Sequence, residues 1–172
     1  SRLEVEALYL TVHKVSLEKL ADWSFSFQEV RTINLLAHSY DRDGRRENGI
    51  ALLEILIKQY EEKPFSLEYY VACYESIMDN LGNLLGNAGR YEEAIAASEK
   101  GICLGMGAGR SAIATSALYG VGWDMEQLWE TGFYTKEESL PYVKASYALR
   151  QLFESKESSA FLKEHIERLY QN

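Results

Sequence analysis

Leu81-Gly82-Asn83-Leu84-Leu85-Gly86-Asn87-Ala88-Gly89-Arg90-Tyr91-Glu92-Glu93-Ala94-Ile95 is the stretch that decides the fold. Leu81, Leu84 and Leu85 recur at the spacing of one helical face. Asn87-Ala88-Gly89-Arg90 then interrupts the pattern with turn residues. Tyr91, Ala94 and Ile95 resume it, and Ser98 and Ile102 continue it. The segment therefore reads as helix, tight turn, helix. Its small residues have separate tasks. Gly82 lets a second helix approach closely, Gly89 supplies a left-handed cap, and Ala94 completes the contact from the other side.

The same device recurs upstream. Seven residues separate Ala37 from Gly44 and Gly82 from Gly89, and five separate Gly44 from Gly49 and Gly89 from Ala94. A more divergent third copy runs through Leu118-Tyr119-Gly120-Val121-Gly122-Trp123, with its turn glycine and later small residue displaced. Between these landmarks the chain carries a helical period almost throughout, as in Phe27, Val30, Ile33, Leu36, Ala37 and Tyr40. Ser26 with Glu29 and Thr135 with Glu138 have the spacing of capping boxes. No strand-like alternation appears, nor any hairpin signal. The expected architecture is all-α, one domain over 1–172, with antiparallel helix pairs at about 26–62, 67–104 and 111–154 and a C-terminal helix at 158–170. Residues 3–20 suggest one or two further helices. Gly105-Met106-Gly107-Ala108-Gly109 reads as a glycine-rich turn.

The stretch from Leu81 to Ile95 closely resembles a tetratricopeptide repeat. This predicts a right-handed superhelix of stacked helix pairs, an α-solenoid. Equivalent small positions lie 45 residues apart (Ala37 to Gly82) and 40 apart (Gly82 to Gly122), against about 34 in the standard repeat. Long repeats, with a tail of the type Tyr142-Val143-Lys144-Ala145-Ser146-Tyr147-Ala148-Leu149, are similar to the C-terminal sensor domains of Gram-positive helix-turn-helix regulators, the Rgg/PlcR-like peptide-pheromone receptors. The likeness spans roughly residues 26–170. It implies a short peptide bound by the repeats, a homodimer through the C-terminal helices, and a DNA-binding domain upstream. No helix-turn-helix motif stands in this chain. Ser1 in place of an initiator methionine reads as a segment with something preceding it.

Composition narrows the function classes. A formal net charge of −8 repels phosphate backbones, so direct nucleic-acid binding by this chain is not expected. The sequence holds no apolar run of membrane-spanning length and no visible signal peptide, which gives a cytoplasmic reading. Cys73 and Cys103 lack a CxxC pattern and read as buried small hydrophobes. His13, His38 and His165 fall on different helices, so no metal site is expected. Gly105-x-Gly107-x-Gly109 follows a helix and no Lys-Ser/Thr succeeds it, against a nucleotide loop. Asp41-x-Asp43-Gly44 is too short for a calcium loop. No nucleophile motif or cofactor signature emerges, and the expectation is a binding protein rather than an enzyme.

In a stacked array the first helix of each pair lines the concave side. The residues opposite the core stripes are Arg31, Asn34, His38 and Asp41 in the first pair, Asp79, Asn80, Asn83 and Asn87 in the second, and Tyr119, Trp123, Glu126 and Gln127 in the third. Asparagine is a poor helix-interior residue. Asn80, Asn83 and Asn87 nevertheless share one face. An amide that both donates and accepts can pair with a peptide backbone without reading its side chains. The other reading of this cluster is a solvated face, with Asn87 a turn residue. Tyr119 and Trp123 read equally as an apolar anchor in the groove or as core. Phe153, Phe161, Leu162, Ile166, Leu169 and Tyr170 form an apolar face that either caps the array or meets a second copy. The function expected is peptide sensing in a transcriptional regulator. The alternative is a scaffold that holds a protein partner in the same groove with no role in transcription.

Overall fold

A computed structural model of the chain describes residues 25–62, 67–107, 111–153 and 160–171. The helices expected within 3–20, and His13, lie outside the described residues. Seven helices and no strands occur among the described residues. They are α1 (Phe27–Arg42), α2 (Arg46–Glu62), α3 (Leu67–Asn87), α4 (Tyr91–Gly107), α5 (Ser111–Gln127), α6 (Lys136–Phe153) and α7 (Ala160–Gln171).

Both capping boxes form. Ser26 N–H donates to Glu29 Oε2 (2.7 Å) while Glu29 N–H donates to Ser26 Oγ (3.4 Å). Thr135 and Glu138 repeat the exchange at 2.7 and 3.3 Å ahead of α6. Gly44 and Gly89 close α1 and α3 at φ +73° and +78°, a region costly to any residue with a Cβ. The displaced turn glycine of the third pair is Gly132, also at positive φ. Gly105-Met106-Gly107, expected in a glycine-rich turn, instead belong to α4, which continues through Gly107; Ala108 and Gly109 lie outside the described residues. Gly105 is buried there, and packing outweighs the roughly 1 kcal/mol propensity cost of a helical glycine.

Each helix packs on the next, and α1 also packs on α3 and α3 on α5. The second helices α2, α4 and α6 share no interface of that extent. First helices that touch while second helices diverge give a curved array with α1, α3 and α5 on its inner wall. Small residues set the crossings. A Cβ on Gly49 would lie 2.7 Å from the Ala37 carbonyl oxygen, and one on Gly82 would lie 2.1 Å from Ser98 Oγ. A Cβ on Gly122 would meet Val143 Cγ2 at 2.6 Å. One continuous core from Phe25 to Ala97 fills the first two pairs. Val121 and Met125 extend it to α5 with Ile95.

The apolar stripe of α7 caps the array. Leu162 and Leu169 are buried with Val143, against half-buried Tyr119, Tyr147 and Ile166. Phe161 and Tyr170 stay exposed, and the Phe153 side chain lies outside what is described. The cysteines differ from expectation, since Cys73 is buried but Cys103 is exposed. Cys103 falls between the buried positions Gly101 and Gly105 of α4 and points off their stripe.

Candidate functional site

Asparagine, histidine and serine side chains at i, i+4 spacing form a ladder where α1 meets α3. Asn34 Nδ2 donates to Ser76 Oγ (3.0 Å), and Asn80 Nδ2 donates to Asn34 Oδ1 (2.7 Å). Asn80 Oδ1 then accepts from His38 Nε2 at 2.6 Å, which places the imidazole proton on that nitrogen. Lower down, Asn87 Nδ2 donates to Asp41 Oδ2 (3.2 Å). Arg46 Nε donates to Asp41 Oδ1, and Arg46 Nη1 donates to the Asn87 carbonyl. Partners in the ladder stand 42 or 46 residues apart, which brackets the repeat length. Positions within a helical turn of equivalence in successive repeats are thus bonded to one another.

The seam between α5 and α7 has the same register. Tyr119 Oη lies 3.4 Å from His165 Nδ1, 46 residues on. Arg168 Nη2 donates to Glu126 Oε1 (2.9 Å), 42 residues back, and His165 Nε2 lies 2.8 Å from Glu126 Oε2. Two of the contacts between α7 and α5 thus fall at the offsets seen between α3 and α1.

The middle seam differs. No side-chain hydrogen bond joins α3 to α5 among the described residues, and a cleft of about 210 Å³ opens there. Helix α3 contributes Gly82, Asn83, Gly86 and Asn87 to it; α5 contributes Ser116, Tyr119, Gly120, Trp123 and Asp124. Asn83 is half-buried and its amide makes no hydrogen bond within the described residues. Tyr119 and Trp123 are half-buried too. The Trp123 ring stands edge-on to Tyr91 (6.1 Å), and the Tyr119 ring is edge-on to both Phe161 (5.3 Å) and His165 (5.6 Å).

The sequence-derived candidates therefore divide. Asn83, Asn87, Tyr119 and Trp123 gather around the cleft. Asn34, His38 and Asn80 spend their amide and imidazole groups on each other, and Asn34 is only 9% exposed. Arg31 is exposed on α1. Asp79 stands apart, on the stripe with Glu75, Gly82 and Gly86 that packs against α4 and α5. Burial pushes its carboxyl up to about 7, with the neighbouring Glu75 adding to the rise. Its Oδ1 has no hydrogen-bond partner among the described residues.

Two cleft residues escape a reading of the groove face. Asp124 is 3% exposed, and burial alone pushes its carboxyl up to about 7. Its signal is an acid at a core-periodic position, in step with Ala117, Val121 and Leu128. Gly86 leaves room for it, since a Cβ there would meet Asp124 Oδ1 at 2.6 Å.

Comparison of the chain with protein families finds no match, and comparison with curated proteins finds none. Among solved structures, the crystal structure of Bacillus thuringiensis PlcR in complex with the peptide PapR7 and DNA superposes with a TM-score of 0.65 over 98% of this chain. The chain has the fold of PlcR. Sequence identity to PlcR is 21%, and the match covers 58% of the PlcR chain. What the two share is the stack of helices described above. No helix among the described residues is long and apolar enough to cross a membrane.

Proposed function

We propose that this chain is the ligand-sensing region of a transcriptional regulator, and that it binds a short peptide on the inner wall formed by α1, α3 and α5. The observation that carries the reading is the open middle seam. Side-chain ladders close the seams on both sides of it, whereas Asn83 and Asn87 face Tyr119 and Trp123 across an unfilled cleft. Amides on one wall and aromatic rings on the other suit an extended peptide, the first for its backbone and the second for an apolar side chain. PlcR, whose fold the chain shares, holds a peptide and DNA in its crystal structure; by that analogy the DNA-binding part lies outside this chain. A second copy meets it through α7, where Phe161 and Tyr170 remain exposed.

Differential affinity for two arrangements of the seam is what lets a ligand act at a distance. Tyr119 touches both the cleft and α7, so filling the cleft bears on the C-terminal helix directly. Peptides from the host are titrated and the melting temperature is followed. A groove binder raises it by mass action. Asn83→Ala abolishes the rise while the unliganded melt stays within about 0.5 kcal/mol of the parent, as for a side chain without internal bonds. A large loss of stability in Asn83→Ala, or an undiminished ligand response, contradicts the assignment. A long protein segment binding where short peptides do not favours the scaffold reading.

A further inference from the structure

We propose that the α3–α5 cleft receives a cationic nitrogen group of its ligand, an ammonium or guanidinium, on the carboxylate of Asp124. The inference rests on the reading of this cleft as a ligand site and adds the chemistry of what enters it. Asp124 is 3% exposed, lines the cleft, and keeps Oδ1 without a hydrogen-bond partner among the described residues. A buried polar oxygen left unpaired costs about 1–3 kcal/mol, so a native structure retains one for a reason. Gly86 is what accommodates it, because any side chain there would strike the carboxylate.

The rest of the lining selects the sign of the guest. Among the described residues no lysine, arginine or histidine borders the cleft, so an anionic group would meet a carboxylate and no counter-charge from them. A purely apolar group would leave Asp124 unpaired. A cationic N–H donor finds acceptors in the carboxylate, the Asn83 amide oxygen and the Ser116 hydroxyl, and the π faces of Tyr119 and Trp123 attract a cation. The size fits one such group. About 210 Å³ holds roughly seven waters at ~30 Å³ each, below the ~300–1,000 Å³ of a complete ligand site. The cleft is an anchor pocket for a lysine or arginine side chain or a free amino terminus, with the remaining ligand lying along the inner wall. Burial raises the Asp124 carboxyl to about 7, and an arriving cation favours its ionised form.

Two probes decide the matter. In the first, n-butylammonium and n-butylguanidinium are compared with n-butanol and butyrate by amide chemical-shift mapping. The expected result is that the cations shift Asn83, Gly86 and Trp123, bind at least tenfold tighter than butanol or butyrate, and lose that preference in Asp124→Asn. Equal binding of butanol, tighter binding of butyrate, or a preference that survives in Asp124→Asn overturns the proposal; the wild-type comparison stands even if the variant misfolds. In the second, one apolar seven-residue peptide is made in three forms, N-acetylated and neutral, N-acetylated with one lysine, and neutral with a free amino terminus. Preference for the second or third form identifies the source of the cation. Peptides that bind without charge preference sink the cation proposal and leave the peptide groove standing. Cation-selective fragments with no peptide binding do the reverse.

Discussion

At the scale of single residues, two asparagines one helical turn apart have different parts. Asn80 joins Asn34 and His38 in the α1–α3 ladder. Asn80→Ala strands both partners, and chemical denaturation is expected to show a loss of about 1–3 kcal/mol. Asn83 has no such bonds, and its replacement is read out in ligand binding instead. The contrast was not legible in sequence. Asn80, Asn83 and Asn87 share a face, but which of them meets α1 depends on a parallel packing at offsets of 42 and 46 residues. Asp124 was hidden for the opposite reason: its spacing is that of a core residue, so it fell outside the groove face. It also sets a pH dependence. Its carboxyl titrates near 7 when folded, against an ordinary 3.8. The folded state then holds a proton that the unfolded chain has released, and stability from this group falls as pH rises from about 4 to about 7. Asp124→Asn removes that slope. Urea titrations at pH 5 and pH 8 should show the variant gaining on the parent at the higher pH by at most about 3 kcal/mol. A difference that does not change with pH contradicts a protonated Asp124 in the native state.

At the scale of helices, small residues carry the crossings and their register was open to reading. Ala37 with Gly49, and Gly82 with Ala94 and Ser98, are in contact as their matched offsets require. The third pair was harder, because its turn glycine is Gly132 and the connection after α5 is longer. The crossings differ in how much they can give. Gly49→Ala drives a Cβ to 2.7 Å from a backbone oxygen, whereas Gly120→Ala meets nothing within 4 Å. Overpacking should make the first lose about 1–3 kcal/mol. The second should gain up to about 1 kcal/mol from helix propensity. Thermal melts of the two variants give the order, and equal melting temperatures would contradict the packing described. Helix α7 yields a similar pair. Leu162 is fully buried on the array while Phe161 is 43% exposed. Leu162→Ala should cost about 2–5 kcal/mol in the isolated chain, and Phe161→Ala far less unless a second copy covers it.

At the scale of the whole molecule, the inner wall has two laddered seams on either side of an open one. Helices α1 to α4 pack around a shared core that Ile95, Val121 and Met125 carry on to α5, and α5 is tied to α6 by Ser146 Oγ donating to the Thr115 carbonyl (2.7 Å) and to α7 by the polar network. A guest in the middle seam contacts α3 and α5 at once. The α-solenoid was legible from repeats alone; that one seam would stay open was not, because it follows from the shorter 40-residue spacing between Gly82 and Gly122 and from aromatic residues standing where the other seams have amides and acids. The most direct test is an amide chemical-shift map of the domain with a bound peptide. Perturbations are expected to concentrate on α3 and α5 at Asn83, Gly86, Tyr119 and Trp123, reaching α7 at His165. Perturbations confined to the outer helices α2, α4 and α6 would contradict it.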